Sequence, residues 1–437
     1  MVQEHTARFV ADKQIPAAPP PRSESGAIAW LRTNLFSGVF NTILTLLGLY
    51  VIYLVMAGIT PWLFLDSVWN ASSLSNCREI DDGACLAVIN ERWLQFFFGF
   101  YPDHLRWRPS LTFALLFVSL YPVLFSSAPR KLLILSAAYP LIAYWLIWGG
   151  SIWGPVLVAA ALGIGFLIVQ YGSRALANVM DEGVAFLTSV GLAIIAAVLW
   201  WLFLVVPLDD LLTSIVNIGL EPVESARIGG FLLSLILGFT GIAGSLPIGI
   251  CLALGRQSNL LIIKAFCTGF IEFIRGVPLI TLLFVASVLL SYFLPPDTEF
   301  DLILRVIIMV TAFASAYMAE VIRGGLAALP RGQYEAADAL GLDYWKSMRL
   351  IILPQALKIS IPGIVNTFIG LFKDTTLVSI IGLLDPVGIL NPIRADQNWN
   401  GIVWELYGFV ALFYFIFCFS MSRYSMYLER KLETGHR

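Results

Sequence analysis

Charge is what this sequence has least of. Asp, Glu, Lys and Arg together make up 13% of its 437 residues, about half of the roughly 25% found in an ordinary soluble domain. The hydrophobic share is 58%, against roughly 45–50%. So apolar a chain would leave far too much surface in water, which excludes a soluble globular protein. Also missing is any Gly-x4-Gly-Lys-Ser/Thr run, the loop whose amides and lysine cradle nucleotide phosphates. The chain is therefore not expected to be an ATP-hydrolysing enzyme or to bind a cofactor. Its five cysteines are scattered without the spacing of a metal site. Cys251, Cys267 and Cys418 sit in apolar surroundings and read as packing residues. The N-terminus lacks a secretory cleavage pattern; residues 1–27 are polar, carry the Pro16–Pro21 stretch and read as a disordered cytoplasmic tail. A net charge of −2 is silent on nucleic acid, which is not expected as a partner.

What is present is long apolar runs. A helix crossing the hydrocarbon core needs about 20 mainly apolar residues, and ten stretches qualify: 36–58, 111–127, 131–150, 154–171, 184–206, 228–254, 269–293, 302–321, 355–381 and 403–427. The second pair of neighbours meets at Gly149-Gly150, so 131–150 and 154–171 are either two spans or one re-entrant pair. The thirteen tryptophans and thirty phenylalanines include aromatics of the kind that gather at bilayer interfaces. The expected fold class is an all-α polytopic membrane protein.

Positive charge sets the orientation, because connections rich in Lys and Arg stay on the cytoplasmic side. With the N-terminus inside, the inner connections hold Arg22, Arg32, Arg130, Lys131, Arg174, Arg256, Lys264 and the loop from Arg323 to Arg349. Arg423, Arg430, Lys431 and Arg437 place the C-terminus inside too. The outer side receives Asp209, Asp210, Glu224, Asp297 and Asp301. The loop 60–110 is an exception, with Arg78, Arg92, Arg106 and Arg108 outside, but loops of that length translocate with less regard to charge. This loop also holds Cys77 and Cys85. An oxidising compartment permits a disulfide between them; two unpaired thiols are the other reading.

The chain divides by character near residue 220. Residues 28–220 supply five spans with little polarity, and 221–437 supply spans rich in Gly, Pro and embedded polar groups. Gly238, Gly241 and Gly244 suit close helix packing, and Pro247 suits a bend. Glu272 and Arg275, like Glu320 and Arg323, are spaced i,i+3 and can pair on one helix face. In GIVNTFIGLFKDTTLVSIIGLL, the residues Asn366, Lys373, Asp374, Thr375 and Thr376 fall inside a segment otherwise fit to span. Ionisable groups at that depth cost at least a few kcal/mol and tend to face a partner or an aqueous cavity. Lys373 and Asp374 could neutralise each other or answer the carboxylate and ammonium of a zwitterion. Alternatively the helix ends near Gly370 and leaves the pair at an interface.

Between two spans lies EAADALGLDYWKSMRLIILP, about twenty residues polar enough to leave the membrane. YEAADAL is built of good helix formers, Gly341 stands where a left-handed C-cap belongs, and Asp343 can cap a second helix, YWKSMRLIIL, which Pro354 would end. The product is a helix–Gly–helix elbow. Tyr334, Leu340, Trp345 and Met348 offer an apolar knob, with Glu335 as a charged contact, of a kind that fits a groove on a soluble partner.

The spacing Glu335-Ala336-Ala337-x3-Gly341-x9-Ile351-x-Leu353-Pro354 resembles the cytoplasmic EAA loop of bacterial ABC importer permeases. FIRGVPLITLLF, YMAEVIRGGLAALPRGQYEAADALGL and ILPQALKISIPGIVNTFIGLFKDTTLVSIIG follow in the order and spacing of the polar-amino-acid permease family, over about 228–430. The resemblance implies a five-helix type I importer core that works as a dimer, with Glu335, Ala336, Ala337, Gly341, Leu353 and Pro354 in the ATPase-coupling loop at 326–354. It also implies an ATPase dimer that carries the ATP and magnesium, a periplasmic binding protein, and the bacterial inner membrane. Five extra spans and the long outer loop depart from most members. They are similar to the larger membrane subunits of general L-amino-acid and glutamate/glutamine/aspartate/asparagine systems, and favour a paralogue over a second copy as partner permease.

The expected function is therefore ATP-powered import of L-amino acids, polar, acidic or of broad range. Two alternatives stand beside it. An ion-coupled secondary amino acid transporter would use Lys373-Asp374 as its ion site and leave the elbow unexplained. A membrane scaffold would leave the intramembrane polar run unexplained.

Overall fold

The computed structural model describes residues 26–125, 127–180, 182–293 and 300–432. The expected tail, 1–27, lies outside them except for its last two residues, which open a helix; Asp297 and Arg437 lie outside as well. The chain forms two compact units, Met1–Ala87 and Val88–Arg437. The module boundary expected near residue 220 thus falls within the second unit.

In the first unit, α1 (Gly26–Asn34) leads into α2 (Val39–Thr60), which continues through a π-helical turn at Pro61–Leu65. None of the apolar window in Val39–Leu65 is buried, as befits a helix whose side chains meet lipid. α3 (Leu74–Ile80) is capped by Ser73, whose hydroxyl accepts from the Asn76 amide at 3.2 Å. Cys77 at the middle of α3 is joined to Cys85 by a disulfide, with 5.8 Å between the α-carbons.

The second unit begins with α4 (Ala87–Phe98), α5 (Trp107–Leu124), α6 (Leu133–Trp148), α7 (Trp153–Leu176), α8 (Glu182–Leu199) and α9 (Val205–Ile215). The stretch around Gly149-Gly150 resolves into two helices, α6 and α7, each long and apolar enough to span. A short antiparallel pair, Gly150–Ser151 with Gly219–Leu220, closes the segment. α7 and α8 form a tight hairpin because Ala185, Ser189 and Ala193 present a small-residue stripe. A Cβ at Gly172 would stand 3.1 Å from the Ser189 hydroxyl. Polar links tie this part to the C-terminal helices. Arg92 meets Asp396 at 2.5 Å, the Arg108 guanidinium donates to the Glu221 carbonyl at 2.7 Å, and the Trp148 indole donates to Ser225 at 2.8 Å.

The core follows: α10 (Gly230–Gln257), α11 (Leu261–Gly276), α12 (Leu279–Phe284), α13 (Leu290–Phe293), α14 (Leu302–Ala327), α15 (Arg331–Ala339), α16 (Tyr344–Ser347), α17 (Leu353–Asp374), α18 (Leu390–Ala395) and α19 (Trp404–Leu432). α10 packs along α14, α14 along α17, and α17 along α19. The glycine stripe of α10 does what its spacing suggested. A Cβ at Gly238 would come within 2.7 Å of the Phe372 ring, at Gly241 within 3.0 Å of Leu371, and at Gly244 within 2.8 Å of Thr311. α10 continues through Pro247 as one helix.

Nine helices among the described residues are long and apolar enough to cross a bilayer. The tenth expected span, 269–293, is a broken one: Leu261–Gly276 and Leu279–Leu289 meet at a bend of 103°, and the pair together makes a tenth crossing or a re-entrant loop. The break falls at Val277-Pro278, where Val277 is extended (φ −109°, ψ 131°). Proline's ring disfavours helical geometry in the residue before it and removes a donor from the ladder.

Candidate functional site

The elbow joins α14 to α17. α15 presents Glu335 and Ala336 to the outside, while Ala337 is buried. Tyr334 packs inward and its hydroxyl donates to the Leu326 carbonyl at 3.3 Å; burial pushes this phenol above its ordinary pKa. Gly341 ends the helix with φ +69°, a left-handed conformation that glycine adopts without a Cβ clash. The Asp343 carboxylate then accepts from the Lys346 amide at 3.3 Å and caps α16. Gln355 donates to Gln333 at 3.1 Å, stapling the two limbs together.

Two details of the elbow differ from expectation. Pro354 does not end the second helix. A π-helical turn at Met348–Ile352 precedes it, and α17 runs on with Pro354 in its first turn, where the missing N–H matters least. Met348, expected on the apolar knob, is buried beside Ile352, Ile322 and Leu326. The exposed apolar edge is instead Leu340, Tyr344 and Trp345. The Trp345 ring also lies 5.9 Å from Phe186 of α8.

A cavity of about 310 Å³ opens between α14 and α17, the lower end of the size range for small-molecule sites. Phe313, Ala314 and Tyr317 line it from α14; Asn366, Thr367, Gly370, Leu371 and Asp374 line it from α17. Of the five polar candidates in this stretch, Asn366 and Asp374 reach the cavity. Lys373 is exposed on another face of α17 and forms no ion pair with Asp374 among the described residues. Thr375 is buried elsewhere, its hydroxyl donating to the Phe372 carbonyl at 2.8 Å and lying 3.4 Å from the Tyr414 hydroxyl. Thr376 bonds the Lys373 carbonyl at 2.8 Å. The helix does not stop at Gly370; it reaches Asp374 and tightens into a 3₁₀ segment to Ile381, closed by Gly382 at φ +90°. Sequence reasoning missed Phe313, Tyr317 and Thr367. The available signal was helical spacing, since Phe313 and Tyr317 are i,i+4 on α14 and Thr367 adjoins Asn366.

Between cavity and elbow sits an ionic cluster. Glu320 of α14 accepts from Arg256 of α10 at 3.0 Å, from Arg275 of α11 at 3.2 Å and from Arg323. Arg256 also reaches Glu272 at 2.9 Å. Glu320 and Arg323 thus pair as their spacing suggested, whereas Glu272 and Arg275 each turn to a partner on another helix. Interhelical geometry outbids the i,i+3 option, which is worth only about 0.2–0.5 kcal/mol on a helix surface.

A family model described as "Binding-protein-dependent transport system inner membrane component" matches residues 245–434, which contain the elbow and the cavity. The glutamate/glutamine/aspartate/asparagine transport system permease protein BztC of Rhodobacter capsulatus is 58% identical over 98% of this chain and 99% of its own length. The chain belongs to the polar amino acid permease family of ABC importers. The inner membrane amino-acid ABC transporter permease protein YhdY of Escherichia coli is similar over nearly the full length, 40% identical across 96% of this chain and 97% of its own. The probable glutamine ABC transporter permease protein GlnM of Bacillus subtilis is 32% identical over 95% of its own length but 48% of this chain. This permease is therefore a multi-pass membrane protein whose family core is joined to a large additional segment, shared in length with the first two relatives.

Proposed function

We propose that this permease carries L-amino acids, polar or acidic ones or a broader range, from periplasm to cytoplasm across a bacterial inner membrane. An ATPase dimer docks on the elbow at Glu335–Gly341, a second permease subunit of related sequence completes the path, and a periplasmic binding protein delivers the amino acid. ATP and magnesium stay on the ATPase. The Lys and Arg distribution supports a cytoplasmic elbow and cytoplasmic termini. Family membership favours this reading over an ion-coupled transporter.

One observation carries it: the two helices that line the cavity, α14 and α17, are the two that the elbow joins. A push on the exposed Glu335 face is delivered directly to the walls of the cavity. Asn366, Thr367 and Asp374 give those walls hydrogen-bonding and anionic character, suited to an ammonium group. ATPase closure then alternates the cavity between outward and inward openings, as domain-scale gating does elsewhere.

The test is Glu335→Lys in the complete complex, reconstituted in vesicles with internal or external ATP as orientation requires. Uptake of radiolabelled amino acid should fall at least tenfold, while membrane insertion and melting of the variant match the parent. Full uptake by the variant would overturn the coupling role.

A further inference from the structure

α17 carries two glycines, Gly363 and Gly370, for different reasons. A Cβ at Gly363 would stand 2.7 Å from Val321, so α14 approaches too closely there for any side chain. A Cβ at Gly370 would meet no atom within 4 Å, and the residue does not adopt a left-handed conformation. Neither packing nor backbone geometry within the chain calls for glycine at 370. In a helix interior glycine is the least favourable residue after proline. What Gly370 faces is the cavity, whose wall it forms on the α17 side.

Most of the remaining wall is already engaged. On α14 the rings of Phe313 and Tyr317 pack 4.9 Å apart, and the Arg275 guanidinium lies 5.6 Å over the Tyr317 ring. Ala314 and Leu371 are buried in the core between the helices. The Thr367 hydroxyl donates to the Gly363 carbonyl at 2.9 Å. Asn366 and Asp374 differ: neither side chain makes a hydrogen bond among the described residues. They stand four residues to either side of Gly370, on the same face of α17.

The α17 wall is therefore a gap between two polar side chains with hydrogen-bonding capacity to spare. At about 1.5 Å per residue, each lies roughly 6 Å from Gly370 along the helix. An amino acid whose ammonium rests on Asp374 and which extends toward Asn366 passes directly over Gly370. Any side chain at 370 would project into that path, because no protein atom fills it. In a cavity of about 310 Å³, at the lower end of the range for small-molecule sites, the loss of that room matters.

We propose that Gly370 is a specificity-determining residue: its missing side chain leaves the room that the side chain of the bound amino acid occupies, and so sets the largest side chain the cavity accepts. This rests on the transport reading above and adds to it a size limit governed by one position, whatever charge the ligand carries. The deciding experiment is equilibrium binding of radiolabelled asparagine and glutamine, which differ by one methylene, to the purified permease–ATPase complex without binding protein. The parent, Gly370→Ala and Gly370→Val are compared. The parent should bind both amides. Glutamine should weaken more than asparagine in Gly370→Ala and at least tenfold more in Gly370→Val, since one methylene in a fitted pocket discriminates by about 10–200-fold. Both variants should melt no lower than the parent, because the added atoms meet no neighbour. Equal losses for the two amides overturn the proposal, as does unchanged binding or a parent that fails to bind either one. Release of the second permease subunit from the variant complexes on size-exclusion chromatography would make Gly370 a contact between subunits and overturn it too. A parent complex that binds both amides as expected yet shows no ATP-driven uptake strikes at the transport reading instead.

Discussion

Arg256 and Glu320 stand 3.0 Å apart, and the contact fastens the last turn of α10 to α14 one helical stretch before the elbow. Glu320 is only 20% exposed and is the shared acceptor of three arginines. Glu320→Gln would leave those guanidiniums without their common counter-charge. Breaking a fully buried pair costs about 3–5 kcal/mol; partial exposure here lowers the expectation to about 2 kcal/mol. Melting of the purified complex in detergent should show it as a clear fall in midpoint. An unchanged midpoint would mean the cluster contributes nothing to the fold.

Gly238 tests the helix packing. A Cβ there would come within 2.7 Å of the Phe372 ring, and that ring cannot retreat because it packs against Phe417 at 5.5 Å and Tyr414 at 5.4 Å. Gly238→Ala should destabilise the protein by about 1–3 kcal/mol through overpacking. Gly163→Ala is the control: no atom lies within 4 Å of its added carbon, and the change should be neutral or stabilising by up to about 1 kcal/mol. Equal melting midpoints for the two variants would contradict the close approach of α10 and α17.

Asp385 predicts a pH dependence. Its side chain is fully buried in the connection between Gly382 and α18, and burial pushes its carboxyl up to about 7, opposed by amide hydrogen bonds from Val387 and Gly388. The folded value lies above the ordinary one near 4, so the folded chain holds a proton that the unfolded chain releases. Stability from this group is complete below about pH 4 and is lost as pH rises to about 7. Asp385→Asn should remove the slope and, at pH 8, be more stable than the parent by on the order of 2 kcal/mol. Melting curves from pH 5 to pH 8 check it; parallel curves for the two proteins would refute the buried proton.

Local features of this permease were legible where the physics is local. The apolar runs became helices because length and composition alone decide whether a segment can cross a bilayer. Gly341 and Asp343 took their expected caps, which depend on a few neighbouring residues. Asn366 and Asp374 stood out because polar groups in an apolar run are conspicuous in one dimension. Lys373 and Asp374 show the limit: neighbours on a helix point in different directions, so a pair adjacent in sequence separated into one lipid- or solvent-facing and one cavity-facing side chain. Pro354 marks another, since a π-helical turn upstream absorbed the break that proline was expected to cause.

By itself, then, the order of residues determined the membrane class, the spans and the elbow from Glu335 to Gly341, because burial in lipid and helix capping are properties of short contiguous segments. Only the tertiary structure decided that the elbow's two helices are the cavity's two walls, that Glu272 and Arg275 each prefer another helix, and that Asp374 rather than Lys373 faces the cavity. Those relationships depend on which faces of α10, α11, α14 and α17 meet. That is settled by the packing of glycines and side chains far apart in the chain.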